Sequence, residues 1–156
     1  MNFRKYISVF TMIILSSMQA QKKEFIKWEI LVPKAINSNE EVELVFKVKL
    51  KSLCFIHSTN IKGRNGKNTS IWFRENGEFK ITEQLEAIYE IEYYNRNTYQ
   101  MAYIIEEEGG FAQKIKVLKP NPIIKGQINY VLCNRGSNQE IPQVYHFEIQ
   151  LKTKNN

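Results

Sequence analysis

Apolar and polar residues alternate with a period of two along most of this chain, the signature of strands that bury one face. Ile26, Trp28, Ile30 and Val32 alternate with Lys27 and Glu29 until Pro33 ends the run. Val42, Leu44, Phe46, Val48 and Leu50 alternate with Glu43, Lys47 and Lys49, the most regular half-buried strand in the sequence. A compact apolar stretch follows at residues 53–57, then a solvated loop at 62–68 rich in Gly, Asn and basic residues. Ile71 and Phe73 open another short strand, and Asn76-Gly77 predicts a hairpin turn. Ala87, Tyr89, Ile91 and Tyr93 read as one strand, and Tyr99, Met101, Tyr103 and Ile105 as the next, with residues 95–97 as the turn between them. Gly109-Gly110 reads as a break before Phe111, Gln113, Ile115 and Val117. Pro120 and Pro122 separate that strand from residues 127–133, and Tyr145, Phe147, Ile149 and Leu151 form the last one. Residues 82–88 are the sole helical candidate.

About eight or nine short strands with turn signals between them predict an all-β protein, a sandwich or barrel. The inward set is rich in aromatic and β-branched side chains, which suits two facing sheets. An immunoglobulin-like β-sandwich is the expected architecture. The hydroxyl of a buried Tyr needs a partner, so some of the eight Tyr should sit at the sheet margins. No internal repeat or long linker divides the chain.

The first twenty residues change the compartment. Arg4 and Lys5 precede an apolar run at residues 7–18, and Ala20 offers a small residue for cleavage, the layout of a secretory signal. The run is shorter than the ~20 residues a membrane-spanning helix needs. Residues 1–20 are therefore expected to be a signal peptide and residues 21–156 one domain, exported to a periplasm or secreted, with no transmembrane segment after signal removal. The formal net charge of +6 falls to +4 when Arg4 and Lys5 are lost. No Arg-rich stripe or basic helical face accompanies this excess, which argues for solubility and against nucleic acid as a partner.

Phosphate-binding loops, nucleophile elbows and paired CxxC motifs are absent from the sequence. Acid pairs such as Glu40-Glu41 and the run Glu106 to Glu108 read as strand starts and solvated turns. Asn68-Thr69-Ser70 fits the N-glycosylation pattern. Cys54, His57, Cys133 and His146 have the chemistry of a soft-metal site, and Cys54-x-x-His57 has ligand spacing. Nothing requires His146 to converge on them from its own strand, so neither a metal nor any other cofactor is expected. The two cysteines allow a disulfide or two free thiols. Ile128, Tyr130 and Leu132 share one strand face, so Cys133 points away from them. Its place at a strand end beside a polar loop predicts partial exposure, with Arg135 near enough to lower its pKa slightly. Cys54 sits in an apolar stretch where a small hydrophobe fits a core.

Residues 125–150 carry the most specific pattern. Gly126, Ile128, Tyr130 and Cys133 form a Gly-x-Ile-x-Tyr-x-x-Cys strand, and Pro142 lies at the step into the last strand. This resembles the periplasmic N-terminal domain of the thiol:disulfide interchange protein DsbD. Residues 111–117 are similar to that family's Phe-x-Gln-Lys-Val-x-Val strand, and Ile56 and Ser58 match its segment near residues 53–58. The segments follow in the family's order over nearly the whole mature chain.

The resemblance implies an immunoglobulin-like fold and a role in passing reducing equivalents from a membrane electron carrier to exported thiol-disulfide proteins. It makes Cys133 the candidate redox thiol and Cys54 a possible resolving or structural partner. Asn134, Arg135 and Pro142 become the candidate partner-binding residues. The family's second cysteine would fall near Asn138 or Glu140, and this sequence has none there. The expectation is a stand-alone thiol-redox partner domain with at most degenerate disulfide exchange. The alternative is a non-catalytic binding or structural module on the same sandwich.

Overall fold

The computed structural model describes residues 25–59, 67–96 and 99–154. The expected signal peptide and most of the 62–68 loop lie outside these residues. Among the described residues, eleven strands build two antiparallel sheets. One sheet holds β1 (Ile26–Leu31), β2 (Glu41–Leu50), β9 (Glu108–Val117) and β5 (Phe79–Ile81) in that order, with β6 (Glu86–Ile88) also pairing β9. The other runs β11 (Gln139–Gln150), β10 (Ile123–Asn134), β3 (Cys54–His57), β8 (Gln100–Glu106) and β7 (Ile91–Asn95), with β4 (Ser70–Phe73) also on β10. The all-β sandwich expected from periodicity is the fold found.

Strand alternation places the core between the sheets. Val42, Leu44, Phe46, Val48 and Leu50 of β2 are all buried, as are Phe111, Ile115 and Val117 of β9. They face Ile124, Ile128, Tyr130 and Leu132 of β10 and Phe147 and Ile149 of β11. Aromatic rings join the layers: Phe46 lies 5.1 Å from Phe147, and Trp28 5.5 Å from Tyr130, centroid to centroid. Tyr89 and Tyr99, by contrast, sit at the margins with about four-fifths of their surface exposed (81% and 80%).

Four local readings are corrected by the way the chain changes sheets. Asn76-Gly77 does turn: Gly77 has φ 72, and the Glu78 amide donates to Asn76 Oδ1 at 2.9 Å. It joins β4 to β5, which belong to different sheets, so it is a crossover and not a hairpin. The run 87–93 is cut at Tyr89, whose φ is 58, and β6 and β7 again lie in opposite sheets.

Residues 82–88 form no helix. The Thr82 amide and the Glu83 carbonyl bind β9 instead, through the Lys114 carbonyl and the buried Gln113 amide, and residues 86–88 become β6. Gly109 and Gly110 lie inside β9, where strands pass close. A Cβ on Gly109 would stand 2.6 Å from Ile105 Cγ2 and 2.8 Å from the Ile88 carbonyl, and one on Gly110 would strike the Phe46 carbonyl.

The six-stranded sheet buries residues on its outer face as well. All four residues of β3 are buried, and Phe55, Ile104 and Cys133 form a second apolar cluster with Tyr93 and Val131 against it. This outer cluster positions the candidate site.

Candidate functional site

Register builds the site. Phe55 pairs with Glu106 of β8 on one side and Cys133 of β10 on the other, and Cys133 pairs with Glu140 of β11. Directly paired residues share a face, so Glu106, Phe55, Cys133 and Glu140 form one transverse row on the outer surface. Cys133 points away from Ile128, Tyr130 and Leu132, as the alternation predicts. A cleft of about 380 Å³ lies over this row, lined by Phe55, His57, Lys67, Tyr93, Cys133 and Arg135 among others, with Glu140 at its wall.

The charges around the cleft are paired. Lys67 Nζ meets both Glu140 oxygens at 2.6 Å. Arg135 clasps Glu106 through two nitrogens, and its guanidinium lies 5.1 Å from the Phe55 ring centroid and 5.4 Å from that of Tyr93. Arg135 is held by the turn it sits in. Its amide donates to the Leu53 carbonyl at 2.9 Å, while Asn134 Oδ1 accepts from the Gly136 and Ser137 amides at 2.8 and 3.1 Å.

Cys133 is only 2% exposed, so the expected partial exposure is not found. The strand end is not open, because Phe55, Tyr93 and Arg135 cover the row. Burial, together with the Glu140 carboxylate, pushes the thiol up to about 11 against a weaker opposing pull from Lys67. The slight lowering expected from Arg135 is therefore overturned: that cation is engaged by Glu106, and desolvation dominates. Reactive thiols need the thiolate, which at neutral pH is here about one molecule in ten thousand. His57, which lines the same cleft, has its pKa below the ordinary 6.5, through burial first and then the Lys67 ammonium, with Glu140 opposing.

Cys54 belongs to the other face. It packs in the main core between the sheets, and the Asn134 amide nitrogen lies 3.6 Å from its Sγ. Both cysteines are free and buried. Of the residues singled out from sequence, Cys133, Asn134 and Arg135 line the cleft, whereas Cys54 and Pro142 do not. Pro142 pairs with Val131 on the exposed edge strand β11, where a missing N–H costs no ladder bond. His146 is exposed farther down β11, away from both cysteines. Asn138 stands in the β10–β11 turn with φ 53, which leaves Glu140 as the residue facing Cys133.

Sequence reasoning missed Phe55, Tyr93 and Lys67 as site residues and treated Glu140 only as an absent cysteine. One signal was available for Phe55. A run in which every residue from 53 to 57 is apolar or His implies a strand covered on both faces.

No protein-family model matches the chain, and no curated protein matches its sequence. Solved structures do match. The N-terminal periplasmic domain of ScsB from Proteus mirabilis aligns with a TM-score of 0.57 and 10% identity, over 86% of this chain and 49% of that one. The DsbD N-terminal domain of Neisseria meningitidis, in the reduced form, aligns with a TM-score of 0.56 and 12% identity, over 88% and 93%. The chain thus spans about half the length of the ScsB structure. At such identities the likeness establishes the fold, the immunoglobulin-like sandwich of the DsbD N-terminal domain.

Proposed function

We propose, on the premise of a sandwich shared with the DsbD and ScsB N-terminal domains, that this chain is an exported docking module for thiol-disulfide proteins. Its contact surface is the cleft over Cys133, and its disulfide exchange is at most degenerate. The observation that carries the reading is the row Phe55, Cys133, Glu140: a thiol at the floor of a cleft, between an aromatic ring and a carboxylate. The leader-like segment at residues 1–20 supports export, which puts the module in the compartment of periplasmic or secreted disulfide proteins, or beside a membrane electron carrier.

The exchange open to it is one half of a cycle. A Cys133 thiolate attacks a partner disulfide, forms a mixed disulfide through one partner sulfur, and releases the other as a thiolate. Completion needs a second thiol to attack Cys133 Sγ and leave the partner reduced. Cys54 is turned to the opposite face, so the resolving thiol would come from another molecule. Without one, the freed partner thiolate attacks back and restores the starting disulfide.

A second reading is favoured by the raised pKa and the 2% exposure of Cys133: a binding or structural module that kept the sandwich and lost the chemistry. The two separate in one experiment. An exported thioredoxin-like protein lacking its resolving cysteine, activated as its mixed disulfide with thionitrobenzoate, is incubated with wild type, Cys133→Ser and Arg135→Glu. A covalent complex with wild type that Cys133→Ser abolishes supports residual exchange. Non-covalent retention by wild type and Cys133→Ser, lost in Arg135→Glu, supports docking without chemistry. No retention by any of the three refutes docking at this cleft.

A further inference from the structure

The outer face of the six-stranded sheet continues past the Cys133 row toward β4. There Trp72, Gln127 and His146 are register partners in one row across β4, β10 and β11, and Ser70, Asn129 and Val144 form the next. Their neighbours Ile71, Ile128 and Tyr145 turn to the core. Strands lie ~4.8 Å apart and alternate residues ~7 Å apart, so the six side chains span a platform of roughly 10 by 7 Å. A shallow depression of about 560 Å³ lies over it, lined by Ser70, Ile71, Trp72, Gln127 and Asn129. The platform's two rows lie four and six residues of β10 from Cys133, about 13 and 20 Å away.

The chemistry of this surface is unlike that of the rest of the protein. Charged residues make up 24% of the chain, yet none of the described residues that line the depression is charged. The Cys133 cleft has Lys67, Arg135 and Glu140, and a third cleft has Arg74, Glu75, Glu78 and Lys125. Trp72 is 56% exposed, a large flat apolar surface beside the amides of Gln127 and Asn129 and the hydroxyl of Ser70, with Val144 and His146 on the far side of the platform. Gln127 Nε2 donates to Asn129 Oδ1 at 2.9 Å, which fixes both amides side by side. That bond leaves Gln127 Oε1 as an acceptor and Asn129 Nδ2 as a donor for a ligand.

An anion would find no unpaired cation among these lining residues, since Lys125 in the next row of the same face is held by Glu148 at 2.9 Å. A wholly apolar ligand would strip water from the amides without replacing their hydrogen bonds. A ligand that is neutral, has one apolar face and carries many hydroxyls meets both demands. We propose that Trp72, Gln127 and Asn129, flanked by Ser70 and His146, form a binding platform for a neutral saccharide. One pyranose C–H face stacks on the Trp72 indole, and ring hydroxyls bond the two amides.

Tryptophan emission of the full chain titrated with cellohexaose, chitohexaose, maltohexaose and mannohexaose tests this. Trp28, the other tryptophan, is buried, so a blue shift of the exposed population reports Trp72. At least one neutral oligosaccharide should produce the shift. Trp72→Ala should abolish it, and Gln127→Ala should weaken binding about tenfold, the worth of a lost hydrogen bond. Both variants should keep the wild-type urea midpoint, being changes at the surface. Absence of a shift with all four sugars overturns the proposal, as does a shift that survives in Trp72→Ala. Equal affinity for oligogalacturonate refutes the selection for neutral sugars.

Discussion

Cys54 and Cys133 occupy neighbouring strands of one sheet, diagonal across the β3–β10 ladder, yet their side chains leave the sheet on opposite faces. Cys133 pairs with Phe55 and Asn134 with Cys54, so the cysteines are one residue out of step. A one-residue offset reverses side-chain direction in a strand. Two thiols on opposite faces cannot meet the Cβ geometry of a disulfide.

The first prediction follows from that offset. Intact mass after alkylation should show slow modification or none in the native protein, and two adducts after denaturation without reductant. Adducts that appeared on either cysteine only after reduction would mean a Cys54–Cys133 disulfide and would sink this arrangement. Arg135→Ala should speed native alkylation of Cys133, because the guanidinium stacked over Phe55 and Tyr93 is part of what covers the thiol.

Raising the pH should destabilise the fold through Cys133. Its pKa is 9.0 when unperturbed and about 11 in the folded chain. Between these values the folded state holds the proton more tightly, so the stability it contributes is intact below pH 9.0 and lost as pH rises toward about 11. The full loss is on the order of 2–3 kcal/mol. Urea midpoints for wild type and Cys133→Ala should converge as pH rises through this window, and parallel curves would contradict the buried thiol.

His57 should act at the other end of the scale. Its pKa is lowered below 6.5 in the fold by burial and by Lys67. The unfolded chain therefore binds a proton as pH falls through 6.5 before the folded chain does, and stability drops on acidification. His57→Gln should flatten the difference between urea midpoints measured at about pH 7.5 and about pH 5.5. An unchanged difference would place His57 in contact with water.

Glu140→Cys should create a disulfide with Cys133. Directly paired residues of an antiparallel ladder have Cα atoms ~4.5–5.5 Å apart, inside the ~4.4–6.8 Å window for bridging. Oxidised protein should lose two hydrogens in mass and gain about 2–3 kcal/mol, the value for so short a loop. Asn138→Cys, in the turn, should not bridge. The reverse outcome would shift the β10–β11 register.

Gly110→Ala should destabilise by about 1–3 kcal/mol, because its Cβ meets the Phe46 carbonyl across the β2–β9 ladder. A urea midpoint unchanged by the substitution would restore the reading of Gly109-Gly110 as a loop.

Most of the strands were legible because burial of one face leaves a period-two record in the sequence. β2 is the plainest case, with every even residue from Val42 to Leu50 buried. The face on which Cys133 lies was legible for the same reason. Sheet membership was not. Residues 87–93 keep their alternation while the chain leaves one sheet for the other at Tyr89, and local patterning carries no mark of which partner lies alongside. The glycines at 109 and 110 look like a break until the Phe46 and Ile88 carbonyls are in place beside them.

By itself, then, the sequence determined an all-β chain, its inward and outward residues and the absence of a second cysteine after Cys133, since these depend on residue type and its alternation. The burial of Cys133, its separation from Cys54 and its facing partner Glu140 were decided by tertiary structure. They depend on the register between strands remote in sequence and on side chains such as Phe55, Tyr93 and Arg135 arriving from three different elements to exclude water.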